Sequence, residues 1–96
     1  MNGFAALVHK DAGTGFGVSF PDVPGCISAG DTLPEALANA VEALAGHLAL
    51  LNEDGDPLPR PRIVAAIESD ASLADDLDGA ILRIVAPAAS IHAQAK

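Results

Sequence analysis

Apolar and polar positions change period several times along the chain, and each change marks an element. Phe4 to Lys10 is a short apolar run and predicts a first strand. Asp11-Ala12-Gly13-Thr14-Gly15 is a turn in which two glycines supply backbone angles that other residues resist. Phe16, Val18 and Phe20 then alternate with Gly17 and Ser19, the period of two of a half-buried strand, so the two strands make a hairpin. Pro21 cannot donate to a ladder and ends the second strand. Pro24-Gly25 marks a tight turn, and Cys26 to Gly30 predicts a short third strand.

Thr32-Leu33-Pro34-Glu35 fits a capping box. The Thr32 hydroxyl is placed to accept from the Glu35 amide, and Glu35 to reach back to the Thr32 amide. Pro34 suits a first helical turn, where its missing N–H is not needed. Leu37, Val41, Leu44, Leu48 and Leu51 follow at spacings of four and three, one face of a helix running to about Asn52. Glu53-Asp54-Gly55-Asp56-Pro57 ends it, and Pro57-Leu58-Pro59-Arg60-Pro61 is a stiff extended connector. Residues 62–70 predict a short helix with Ile63, Ala66 and Ile67 inward, and Ser72 to Asp78 a further turn. Ala80 to Ala86 is apolar at nearly every position, as in a strand covered on both faces or paired centrally. The order is βββ-α-α-β, an α+β fold. It has a three-stranded antiparallel meander and a last strand expected to lie parallel to the first, reached by a right-handed crossover. Residues 1–87 form the domain, and 88–96, Ala-rich and unpatterned, read as a tail or linker.

Composition narrows the function. Ninety-six residues allow one core, burying roughly 60–65% of the unfolded surface. With alanine abundant and only Phe4, Phe16 and Phe20 aromatic, oligomerisation is a natural source of further buried area. The net charge is −8, with Lys10, Arg60, Arg62, Arg83 and Lys96 the only Lys and Arg residues. Nucleic-acid affinity rests on several Lys and Arg neutralising phosphates, so no direct DNA or RNA binding is expected. An acidic surface suits a basic partner, and equally serves solubility. Cys26, the single cysteine, excludes an internal disulfide and a cysteine-based zinc site. No apolar run approaches the roughly 18 residues of a membrane span, so a cytoplasmic protein is expected.

Three stretches, FPDVPGC (20–26), SAGDTLPEALANAVEAL (28–44) and LNEDGDPLPRP (51–61), in this order and at this spacing, resemble the HicB antitoxin family of bacterial toxin–antitoxin pairs. The resemblance extends from Phe4 to Ala86. It implies a partial RNase H-like fold, which the strand order matches. It also implies a homo-oligomer and an antitoxin that binds and occludes a HicA-type toxin, a small basic protein that cleaves mRNA with a histidine. Many family members add a C-terminal DNA-binding domain. This chain ends at Lys96 and is expected to lack one. The alternative is a stand-alone regulatory or protein-interaction domain of the same fold with no toxin partner.

An RNase H-like fold raises the question of a metal-dependent nuclease, for which Asp11, Asp31, Glu35 and Glu42 are the candidate ligands. Asp11 sits in a turn, Glu35 is explained by the cap, and the last strand carries no carboxylate. No catalytic residue, metal or cofactor is therefore expected. His9, His47 and His92 form no ligand pattern, Ser19 and Ser28 have no evident base, and Cys26 reads as a packed residue. The candidate partner-binding residues are Asp22, Asp31, Glu53 and Asp54. Each has a structural alternative: Asp22 bonding its own turn amides, Asp31 helping to cap the helix, and Glu53-Asp54 a solvated helix end.

Overall fold

A computed structural model describes residues 3–10 and 15–87; the hairpin turn at 11–14 and the tail read at 88–96 lie outside the described residues. Four strands form one sheet: β1 (Phe4–Lys10), β2 (Phe16–Ser19), β3 (Ile27–Gly30) and β4 (Ile81–Val85). Their spatial order is β3-β2-β1-β4. The predicted hairpin is present, with Leu7 opposite Ser19 and Lys10 opposite Phe16. Between β2 and β3 the chain makes two tight turns, the Val23 amide donating to the Phe20 carbonyl and the Cys26 amide to the Val23 carbonyl, both at 3.1 Å. Gly25 takes φ +88° there, a left-handed angle that favours glycine.

The long helix, α1 (Leu33–Glu53), starts where the capping signal placed it. Thr32 Oγ1 accepts from the Glu35 amide at 3.2 Å. Glu35 Oε1 accepts from the Asp31 amide at 2.9 Å, one residue before the amide the sequence suggested. The residues of α1 with no exposure at all are Ala36, Ala40 and Leu44, while Leu37, Val41 and Leu48 pack at their margins. Two alanines on the contact line let the helix axis come close to the sheet. Gly30 marks the closest approach, since a Cβ there would stand 2.4 Å from the Ala36 nitrogen. Against this stripe the sheet sets Phe4, Ala6, Val8, Val18, Phe20 and Val85, which form the main core.

Two short helices, α2 (Val64–Glu68) and α3 (Ala74–Leu77), joined by a 3-10 turn at Ala71–Leu73, follow the connector. Ile67 is fully buried and Ala66 half-buried, but Ile63 is 73% exposed, because it lies just outside α2 in extended conformation.

The last strand corrects two expectations. β4 runs antiparallel to β1, with Phe4 opposite Val85 and Val8 opposite Ile81, rather than parallel to it. A parallel strand requires the chain to enter at the end of the sheet where α1 finishes. Here Arg62 is tied to Asp22 at that end, while the Asp76 carbonyl meets His9 at the other. The two short helices climb the length of β1, so β4 begins at the far end and descends. β4 is also an edge strand, with Arg83 and Ile84 exposed, rather than a strand covered on both sides.

Candidate protein-binding surface

The register divides the sheet residues between two faces. Opposite α1 lie Ala5, Leu7 and His9 of β1, Gly17 and Ser19 of β2, Ile27 and Ala29 of β3, and Leu82 and Ile84 of β4. Half of this face is covered. Ala5 and Leu7 are buried, as is Ile67 of α2. His9 Nε2 donates to the Asp76 carbonyl at 2.7 Å and fastens α3 to the sheet. The other half, over β2 and β3, is bare: Ile27 is 72% exposed and Ala29 exposed beside it. Gly17, Ser19 and Ala29 are small enough for another molecule's backbone or helix to approach closely.

Shallow depressions of about 410, 390 and 460 Å³ mark the surface, and their similar size leaves chemistry to distinguish them. The one on the bare half-sheet is lined by His9, Gly17, Val18, Ser19, Ile27, Ser28 and Ala29. It has an apolar anchor in Ile27, and carboxylates lie beyond its His9 and Ala29 end. Asp75, Asp76 and Asp78 are exposed on and beside α3, next to His9, and Asp31 is exposed where the chain leaves β3. The arrangement suits a basic partner that also makes an apolar contact.

The four residues nominated from sequence do not converge. Asp31 borders the bare face. Glu53 and Asp54 are exposed at the far end of α1, roughly 30 Å of helix away. Asp22 is engaged inside the protein: Oδ1 accepts from Arg62 Nε at 2.7 Å and Oδ2 from the Arg62 amide at 2.8 Å, with the carboxylate side chain only 7% exposed. It bonds a residue 40 positions away instead of its own turn. The α3 carboxylates and Ile27 were not singled out from sequence. The available signal was the run Asp75-Asp76-Leu77-Asp78, three carboxylates in one helical turn.

Arg62 joins the Asp22 turn to Asp70, whose Oδ2 accepts from Nη1 at 3.0 Å. Asp70 Oδ1 accepts from the Ser72 amide at 2.9 Å and the Ser72 hydroxyl at 2.6 Å. The bonds from Ser72, and after them the one from Arg62, hold the Asp70 carboxyl below its ordinary value of 3.8. A carboxyl depressed by folding stabilises the fold fully above its unfolded value and loses that contribution as pH falls through the folded value. Asp70→Asn should therefore lower the thermal midpoint near neutral pH, with a smaller gap to the parent at a pH well below the ordinary value of 3.8. Circular-dichroism melts at both pH values check this, and an equal gap at both would contradict it. The bonds to Asp70 and to Asp22 raise the Arg62 value further, so it stays charged throughout.

Burial raises the Cys26 thiol above its ordinary value, which keeps it protonated and suits a packed residue. Glu35 is occupied by the helix cap. Among the described residues no three His, Cys, Asp or Glu side chains are grouped so as to hold a metal ion, and no helix is long and apolar enough to cross a membrane. Asp11 and His92 lie outside the described residues.

A family model described as HicB-like antitoxin of bacterial toxin–antitoxin system matches residues 4–94. The chain belongs to this family. Its HicB-like sequence is 56% identical over 46 residues to an uncharacterised 14.9 kDa protein of Haemophilus phage HP1, a match covering 48% of this chain and 35% of that protein. It is 41% identical over 63 residues to Antitoxin HicB 2 of Photorhabdus laumondii, covering 64% and 45%. The chain thus spans less than half the length of these curated relatives. Among solved structures it superimposes on a chain of the HicA3 and HicB3 toxin–antitoxin complex with a TM-score of 0.71 and 35% identity, covering 88% of this chain and 95% of that one. The mixed α and β architecture with an antiparallel sheet is that of HicB antitoxin N-terminal domains. The family is one of antitoxins, and the relatives indicate no enzymatic activity.

Proposed function

We propose that this chain neutralises a HicA-type toxin in the cytoplasm by binding it and occluding its RNA-cleaving site. The observation that carries this reading is the likeness, over nearly the whole of that chain, to one solved in a HicA3–HicB3 complex. The chemistry of the bare half-sheet supports it. Ile27 offers an apolar anchor at the start of β3, and Asp31, Asp75, Asp76 and Asp78, toward the other end of the strands, carry negative charge that complements a basic toxin. Complementary charge speeds encounter, and the apolar anchor slows release. The chain contacts no nucleic acid itself, since its few basic residues are scattered and Arg62 is consumed by Asp22 and Asp70.

The test is RNA cleavage by the toxin encoded beside this gene, titrated with the purified chain. Cleavage should fall in proportion to added chain and stop near equimolar amounts. Cleavage that persists in several-fold excess, with no complex on gel filtration, would leave the stand-alone interaction domain as the better account.

A further inference from the structure

Residues 62–79 run along β1 on the side away from α1, where His9 meets Asp76, and they are built unlike the rest of the protein. The two helices of this strap span five and four residues, far below the roughly 12–15 at which a helix holds on its own. Neither has the side-chain cap that starts α1. Ile67 is the single buried residue of the strap. Ile67, like Ala5 and Leu7 on the β1 face turned from α1, is buried but stands outside the main core. No strap residue belongs to the layer that Phe4, Val8, Phe20 and Leu44 fill.

Besides Ile67, polar links hold the strap at its two ends. At the entry, Arg62 gives its amide and Nε to Asp22. Toward the exit, the Asp76 carbonyl accepts from His9. Internal bonds keep the segment together: Arg62 Nη1 donates to Asp70, Asp70 accepts from Ser72, and Ser69 Oγ donates to the Ala65 carbonyl at 2.8 Å. Gly79 then takes φ +75° with open space around it, a joint that favours glycine between α3 and β4. A segment with one buried side chain and exposed backbone bonds lies at the low end of the stability range within a fold.

We propose that residues 62–79 open and close as one unit while α1 and the sheet stay folded, with Arg62 as the clasp. Asp75, Asp76 and Asp78 belong to this unit, so only the closed strap sets them beside the bare half-sheet. On the antitoxin reading, on which this step rests, a basic toxin binds the closed form better and holds it shut. The apparent affinity then falls with the fraction of chains that are closed.

Amide hydrogen exchange of the full chain, followed by NMR, tests the proposal. Corrected for intrinsic rates, the hydrogen-bonded amides of Ile67, Ser69, Leu73 and Asp78 should exchange at least about tenfold faster than those of Ala40 and Leu44 in α1. Leu48→Ala, at the margin of the main core, should speed the α1 amides about tenfold and leave the strap amides within about twofold. Arg62→Gln should speed the strap amides at least about fivefold with an unchanged far-ultraviolet spectrum. If that change disturbs the Asp22 turn, Ile67→Ala, which removes the apolar anchor, carries the same expectation. Bound cognate toxin should slow the strap amides at least about tenfold. Strap and α1 amides that exchange alike in the parent, or that respond alike to Leu48→Ala, would overturn the proposal. Strap amides as fast in the toxin complex as in the free chain would overturn the link to the partner. A chain that binds no toxin would remove the antitoxin reading, and exchange in the free chain would still decide the strap.

Discussion

Leu44→Ala should destabilise this protein by about 3 kcal/mol and lower its thermal midpoint by roughly 12–20 °C. Leu44 has no exposed surface and joins the main core in the one layer between α1 and the sheet. Its neighbours on the contact line, Ala36 and Ala40, are already as small as a side chain with a Cβ allows, so they cannot fill the space. The sheet opposite is held by its ladder and cannot collapse inward. The loss therefore includes a cavity as well as the transfer of the deleted atoms. Against a total stability of about 5–14 kcal/mol for a chain of this length, the effect is large. Leu48→Ala, at the partly buried margin of the same helix, should cost about 1–1.5 kcal/mol. Denaturant melts of the two variants compare them directly. Equal losses would mean that the core is not centred on Leu44.

That contrast also shows what periodicity can reveal. The spacing of Leu37, Val41, Leu44 and Leu48 identifies the helical face but ranks its members equally. The centre of the face is fixed by alanines, which carry little weight in a hydrophobic pattern yet decide how closely the helix approaches. Local chemistry was legible: the Thr32 and Glu35 cap, the hairpin and the turn at Gly25 each depend on residues a few positions apart. Long-range chemistry was not. The pairing of Asp22 with Arg62 leaves no trace in the sequence around either residue, so Asp22 read as a turn residue or a partner contact. The direction of β4 was hidden for a similar reason. It depends on how far α2 and α3 carry the chain along β1, and short helices with weak patterns do not encode that distance. The apolar run of β4 suggested cover on both faces, but Ile84 faces outward at an edge. A residue meant for a partner and a residue meant for the core look alike in a sequence.

Ile27→Lys should weaken toxin binding by about 30- to 100-fold while leaving the fold intact. Ile27 is already 72% exposed, so its replacement removes little from the core. On the bare half-sheet, however, lysine both deletes the apolar anchor and places a positive charge against a basic partner, a loss typical of an interface hot spot. The combined substitution Asp75→Asn, Asp76→Asn and Asp78→Asn should act differently. These carboxylates are exposed, and each is worth only about 0.2–1 kcal/mol. Binding should weaken by about tenfold, chiefly through slower association, and should become less sensitive to salt. Asp76 fastens α3 to His9 through its backbone carbonyl, so the side-chain change leaves that contact in place. Glu53→Gln with Asp54→Asn, far along α1, should change affinity less than about twofold. Surface plasmon resonance with the cognate toxin separates the association and dissociation rates for all three variants. If the Glu53 and Asp54 variant loses binding while Ile27→Lys does not, the toxin meets the far end of α1. The docking face would then be misassigned even though the antitoxin role stands, whereas an unmodified chain that binds no toxin would remove the role itself.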